Sequence, residues 1–196
     1  MTIAEFIQKN KHQFQLHGII FLWGFTGILG KLIDISSFSI VWWRMSIAFV
    51  GLGAFMLATN RDFKTSRINT LKYFGTGLVI ACHWILFFEA LKVSNVSITL
   101  TTLASTTLFV ALIEPVFFKR KIIGYEVLLG ICTLIGLAII FQAETDHTLG
   151  IILALGSALL AAVFSTLNGV FVKSDKPTLI TAYEMVGGAI GITIYS

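Results

Sequence analysis

The chain has 196 residues, 56% of them hydrophobic and only 12% charged, with a mean hydropathy of +0.89. Soluble domains carry about 25% charged residues, so a soluble core of this size could not bury so much apolar surface behind so few charges, and the bilayer is the better solvent. The net charge of +4 comes from short basic clusters between apolar runs, a pattern that offers no nucleic-acid face.

A helix needs about 20 apolar residues to cross the hydrocarbon. The polar stretch 1–15 reads as a segment outside the membrane. The apolar run that follows, Leu16 to Ile33, is long, carries Lys31 and lacks a small-residue exit, so it reads as a retained first span and not a cleaved signal. Further spans are predicted over Phe38–Ala58, Leu71–Leu91, Val96–Phe118, Tyr125–Phe141 and Leu149–Val172. A seventh begins near Thr178 and is still running at Ser196. The expected fold is all-α, a polytopic transmembrane helical bundle of six to seven spans.

Orientation follows from counting cations. With the N-terminus in the cytoplasm, eleven Lys and Arg residues fall in inner segments: Lys9, Lys11, Arg61, Lys64, Arg67, Lys72, Lys119, Arg120, Lys121, Lys173 and Lys176. Two, Lys31 and Lys92, fall outside, beside Asp34, Glu144 and Asp146, and Arg44 is left within a span. The bias is that of the positive-inside rule. Cys82 and Cys132 lie in apolar runs without CxxC or metal spacing and read as small packing residues. Gly24, Gly27 and Gly30, and Gly187 and Gly191, have spacings that suit close helix contacts.

An ionisable group inside a span costs roughly 2.5–3.5 kcal/mol on insertion scales, so each is a functional candidate. Arg44 lies about two turns into the second span. It either holds an anionic group bidentately or snorkels outward to a structural partner. Glu184 lies at the matching depth of the seventh span, entered from the other side. His83 and Trp84 sit past the midpoint of the third span. The histidine is read as a proton relay or an interhelical hydrogen bonder, and the indole as a cavity wall or packing. Glu89 lies nearer the span's end and reads as interfacial. Thr99, Thr102 and Thr106, with Ser105, share one face of the fourth span, where they line a cavity or bond carbonyls one turn back. Glu114 reads as a helix-end ion pair beside Lys119. Trp42 and Trp43 read as interface aromatics, and Trp23 as interface or cavity wall.

The first two spans and the last two share a plan. His17-Gly18 opens one pair and Leu149-Gly150 the other. Trp42-Trp43-Arg44 and Ala182-Tyr183-Glu184 stand at corresponding places after the turn. Five spans separate the starts, and an odd number inverts the second copy, as in the inverted repeats of secondary transporters.

Several stretches resemble the EamA-type branch of the drug/metabolite transporter superfamily. They are WGFTGILGKL from Trp23, VWWRMSIAF from Val41, CHWILFFEALKVSNVSITLTTLAS from Cys82, LFVALIEPVFFKRKIIGYEVLLGICTLIGLAIIF from Leu108 and LGIILALGSALLAAVFSTLNGVFVK from Leu149. The resemblance implies ten spans in two five-helix repeats of opposite topology, and export or uptake of small organic metabolites by alternating access. On that plan residues 1–15 are a cytoplasmic segment, 16–141 the first repeat and 149–196 a partial second one. The sequence is then expected to be a piece of a longer transporter. Two positions depart from the family: Thr107 stands where it often has Pro, and basic Lys119-Arg120-Lys121 where it often has an acidic residue.

The resemblance points to a secondary transporter in the cell membrane, with the lipid bilayer and a small-molecule metabolite as partners and protons as a possible coupling ion suggested by His83, Glu114 and Glu184. A non-transporting membrane subunit or an inactive fragment is the alternative. No HExxH, G-x-S-x-G elbow, P-loop or paired span aspartates occur, so the sequence gives no enzyme, cofactor or metal signature. Solute identity and oligomeric state are not legible.

Overall fold

A computed structural model describes the backbone of residues 3–143 and 145–195, with side chains over 5–139 and 146–195. Glu144, counted above among the outer acids, and Ser196 lie outside the described residues. The helices are α1 (Ile3–Lys9), α2 (Lys11–Leu32), α3 (Ser37–Ala58), α4 (Arg67–Val93), α5 (Val96–Leu103), α6 (Thr106–Phe118), α7 (Gly124–Ala143), α8 (Thr148–Phe171) and α9 (Pro177–Tyr195). A 3₁₀ turn, Thr145–His147, precedes α8, and no strand occurs among the described residues.

Five helical stretches are long and apolar enough to cross a membrane: Ser37–Ala58, Arg67–Val93, Val96–Phe118, Thr148–Phe171 and Pro177–Tyr195. The fold is therefore an all-α polytopic bundle. The first and fifth spans read from the sequence are not among the five. The helix there, α2, opens on Lys11, His12, Gln13, Gln15 and His17 and ends with Lys31. In α7 the described apolar stretch is the shorter Gly124–Ile139.

Short polar residues cap the starts of α3, α4 and α5. Ser36, Ser66 and Asn95 accept backbone N–H groups three residues on, at 3.1, 3.2 and 2.9 Å. Each side chain thereby satisfies one of the donors a helix start leaves open. The fourth span is one apolar run but two helices. Between α5 and α6 the bonds tighten to three-residue reach, Ser105 N to Thr102 O at 3.0 Å and Leu108 N to Ser105 O at 3.0 Å. Hydroxyls of Ser105, Thr106 and Thr107 donate to carbonyls three residues back, at 2.7, 2.7 and 2.9 Å. These hydroxyls compete for the carbonyls that α-helical N–H groups would take, which favours the tighter turn.

The core is built around α4. It packs along α8 on one side and α9 on another; α3 lies on α9, α5 and α6 on α8, and α7 on α6. Helices α8 and α9, neighbours in sequence, meet mainly through α4. Within lipid, packing depends on close contact more than on a hydrophobic drive, and small residues allow it. Accordingly Ala154, Ser157, Ala158 and Ala162 of α8 are fully buried. At Gly77 of α4 a Cβ would overlap the Glu184 carbonyl of α9 and come within 2.9 Å of Gly188 N. Ile40, Val41, Met45, Ile80, Phe87, Phe88, Leu91, Met185 and Ile192 form the main apolar cluster. Helix α2 is anchored by Gly27 and Gly30 and by Lys31, whose Nζ donates to Leu91 O at 2.6 Å and Ser94 O at 2.9 Å. Cys82 and Cys132, read as packing residues, face outward instead.

The loops gather at two ends. Segments 59–66, 119–123 and 172–176 make a basic end with Arg61, Lys64, Lys119, Arg120, Lys121, Lys173 and Lys176. The turns 33–36, 94–95 and 145–147 make the opposite end.

Candidate functional site

Helices α3 and α9 run antiparallel in contact. Trp42 Nε1 donates to Thr193 Oγ1 at 2.8 Å, Phe38 stacks on Tyr195 at 5.4 Å, and Met56 packs with Leu179 and Ala182 toward the basic end. Arg44 and Glu184 each stand seven residues past the first residue of their helices, so they enter the bundle from opposite ends.

The guanidinium of Arg44 lies 4.6 Å from the centre of the Trp84 ring and 5.4 Å from that of Phe88. The charge therefore lies against α4, beside two rings one turn apart. Cation–π contact of this kind contributes about 2 kcal/mol when desolvated, and it leaves the positive charge unneutralised. Among the described residues Arg120 pairs with Glu114 and Glu126, and no ion pair involves Arg44. Its Nε is buried without an acceptor.

His83, one residue before Trp84, turns to α8. Its Nδ1 is 2.8 Å from Ser157 O and 2.9 Å from Ser157 Oγ, and Ser157 Oγ donates to His83 O at 3.0 Å. The carbonyl bond requires the proton on Nδ1. Phe164 and Phe87 flank the ring at 5.3 and 6.5 Å. Ser157 is thus a hydrogen-bonding partner as well as a fully buried packing residue.

Glu184 is 1% exposed. Its Oε2 is 3.4 Å from Asn168 Nδ2 of α8, while Glu184 Oε1 and Asn168 Oδ1 are both buried without partners. Thr102, at the end of α5, is fully buried with an unpartnered hydroxyl. Glu114 stands apart near the basic end, 3.4 Å from Arg120 and not paired with Lys119, which adopts a left-handed conformation (φ 51°) after α6. Trp23 is 69% exposed on α2 and is not part of the group. The structure therefore joins Arg44, Trp84 and His83 in one neighbourhood, puts Glu184 in a second, and leaves Thr102, Glu114 and Trp23 separate.

Three partners escaped the sequence reading. Phe88 and Asn168 are single residues in apolar runs, and Asn168 alone carried a signal, an amide within a span. The third is Asp175, in the loop between α8 and α9. Its Oδ2 accepts from Tyr73 OH at 2.6 Å, Thr65 Oγ1 at 2.8 Å and Asn69 Nδ2 at 3.0 Å. The Tyr73 hydroxyl, aided by Thr65 and Asn69, holds this carboxyl below the usual carboxylate range. Arg61 donates to Thr178 Oγ1 at 3.1 Å and Tyr183 OH to Phe63 O at 3.0 Å, so several bonds tie α9 and its preceding loop to the 59–66 loop and the start of α4. A cleft of about 200 Å³ beside them, lined by Met56, Arg61, Lys64, Asp175 and Lys176 among others, lies away from the intramembrane groups.

The model of the EamA-like transporter family matches residues 14–142. No curated protein and no solved structure matches the chain.

Proposed function

The chain belongs to the EamA-like transporter family, and we propose that it works as a secondary transporter in the cell membrane, moving small organic metabolites by alternating access, with its basic end and N-terminus in the cytoplasm. The family supports membrane transport of small molecules, and the cation count supports the orientation. In this reading residues 16–141 are one five-helix repeat and 149–196 part of an inverted second one. The interleaving of α8 and α9 with α3–α6 fits a transporter whose halves share one central interface.

The observation that carries the reading further is Arg44. A guanidinium borne about two turns into α3, walled by Trp84 and Phe88 and lacking a carboxylate partner, is an incomplete ion pair. A substrate carboxylate would complete it, since guanidinium matches a carboxylate bidentately, and Trp84 offers a face to the rest of the molecule. The function proposed is therefore transport, not catalysis, with an anionic metabolite as cargo.

Counterflow in proteoliposomes, with a panel of labelled organic acids, neutral metabolites and amines, tests this. Acids should be preferred, and Arg44→Ala should lower their uptake about 100-fold, the loss of roughly 2.7 kcal/mol of charge-assisted contact. Arg44→Lys should recover only part, because an ammonium lacks the planar fork. Uptake that ignores substrate charge, or survives Arg44→Ala, would sink the assignment.

A further inference from the structure

Glu184 and Asn168 present a hydrogen-bonding inconsistency with one simple solution. An ionised carboxylate and an amide oxygen only accept, so as an ionised pair they leave Glu184 Oε1 and Asn168 Oδ1 both orphaned inside the bundle. They also leave a negative charge with no cation, because none of the ion pairs among the described residues involves Glu184. Either defect is expensive away from water.

The groups facing this site do not relieve it. On α3 the nearest charge is Arg44, whose neighbour Met45 meets α9 at Gly188, about one turn from Glu184 toward the opposite end. On α4, Gly77 is level with Glu184. Tyr73 lies about 6 Å toward the basic end and His83 about 9 Å the other way, by helical rise. Tyr73 donates to Asp175 and His83 is bonded to Ser157. Helix α8 carries no charged residue, and its contribution is Asn168.

We propose that Glu184 is a proton-binding site: in this conformation its carboxyl is protonated at Oε1 and forms a two-bond acid–amide pair with Asn168. The acid O–H donates to Asn168 Oδ1, and Asn168 Nδ2 donates to Glu184 Oε2. One proton thus satisfies both orphan oxygens and removes the charge. The pair also links α8 to α9, which otherwise meet mainly through α4. Losing the proton to water breaks one bond of that link and turns the site into a carboxylate that must be solvated, so proton release is tied to α9 parting from α8. On the transporter reading, on which only this coupling role rests, Glu184 is where a proton gradient acts.

Infrared spectroscopy of the purified chain in lipid nanodiscs tests the site without any substrate. At neutral pH a protonated carboxylic-acid C=O band should be present, absent from Glu184→Gln and shifted in Asn168→Leu. Should Glu184→Gln not fold, wild-type protein grown with ¹³C-glutamate must shift the same band. Absence of a glutamate acid band, insensitivity to Asn168→Leu, or its loss on adding sodium at constant pH would overturn the proposal, the last by showing a cation site. With the band established, an imposed pH gradient should drive metabolite accumulation in proteoliposomes, reduced at least ten-fold by Glu184→Gln. Uptake indifferent to the gradient would overturn the coupling role. No uptake of any panel metabolite would instead overturn the transporter reading and leave the proton site standing.

Discussion

Two carboxylates nine residues apart, Asp175 and Glu184, show how differently one chemical group is used in this molecule. Asp175, at the basic end, accepts from Tyr73, Thr65 and Asn69 through one oxygen. Glu184, inside α9, has one long contact and an oxygen with no partner. The first has its donors supplied by the fold, so it ties the α8–α9 loop to α4 and needs nothing more. The second is left short of a donor where desolvation is most costly, as Arg44 is left short of an acceptor. On the function proposed above, each is left for a partner that comes and goes, a substrate carboxylate at Arg44 and a proton at Glu184.

The contrast can be broken most forcefully at Gly77. A Cβ there meets the Glu184 carbonyl and Gly188 N, which are backbone atoms and cannot swing aside. Gly77→Ala should cost about 3 kcal/mol, the upper part of the range for overpacking, because α4 and α9 must separate. Unfolding in detergent would measure the loss, and the infrared band of Glu184 should shift while the bonds of Asp175 persist. A variant as stable as wild type would mean that the two backbones do not meet this closely.

Asp175→Asn sharpens the other side. The amide keeps one acceptor but loses the charge that strengthens three bonds. Charge-assisted hydrogen bonds contribute about 1.5–3 kcal/mol, and partial exposure of this loop lowers the expected cost to about 1–2 kcal/mol. The folded-state pKa is depressed, so the stabilisation is present above the unfolded value of about 3.9 and disappears as pH falls through the folded one. Wild type and Asp175→Asn should therefore differ at neutral pH and converge in acid below about pH 4. Parallel curves across that range would show that the carboxylate contributes nothing to the tie.

Much of this was legible in the residues. Apolar runs gave the helices because lipid demands that backbone groups be satisfied within the helix, and rare charges within them picked out Arg44 and Glu184. The same logic misplaced boundaries where composition is mixed: α2 starts at Lys11, among polar residues, and the fourth run conceals the tightened turn at Ala104 and Ser105. Partners were the harder part. Nothing in the sequence brings Asn168 to Glu184 or Phe88 to Arg44, since those meetings depend on how α8, α9 and α3 lie against α4. The sequence sets Glu114 beside Lys119 at a helix end, whereas in the fold the cation 3.4 Å from it is Arg120.

His83 and Ser157 provide the smallest effect and a third kind of polar site, buried yet satisfied. Ser157→Ala removes the hydroxyl that donates to His83 O but keeps the carbonyl that receives Nδ1–H. One neutral hydrogen bond is at stake, about 1 kcal/mol, and the lost hydroxyl leaves His83 O as a less satisfied acceptor in place of a broken α4–α8 contact. If His83 is a tie, Ser157→Ala lowers stability by that amount and leaves the pH profile of uptake where it was. If His83 carries the coupled proton, the same change moves the profile, because the hydroxyl sits 2.9 Å from the nitrogen concerned. The tie is the expected result, since a ring whose Nδ1 is held by a carbonyl of the neighbouring helix is already satisfied there, whereas Glu184 is not.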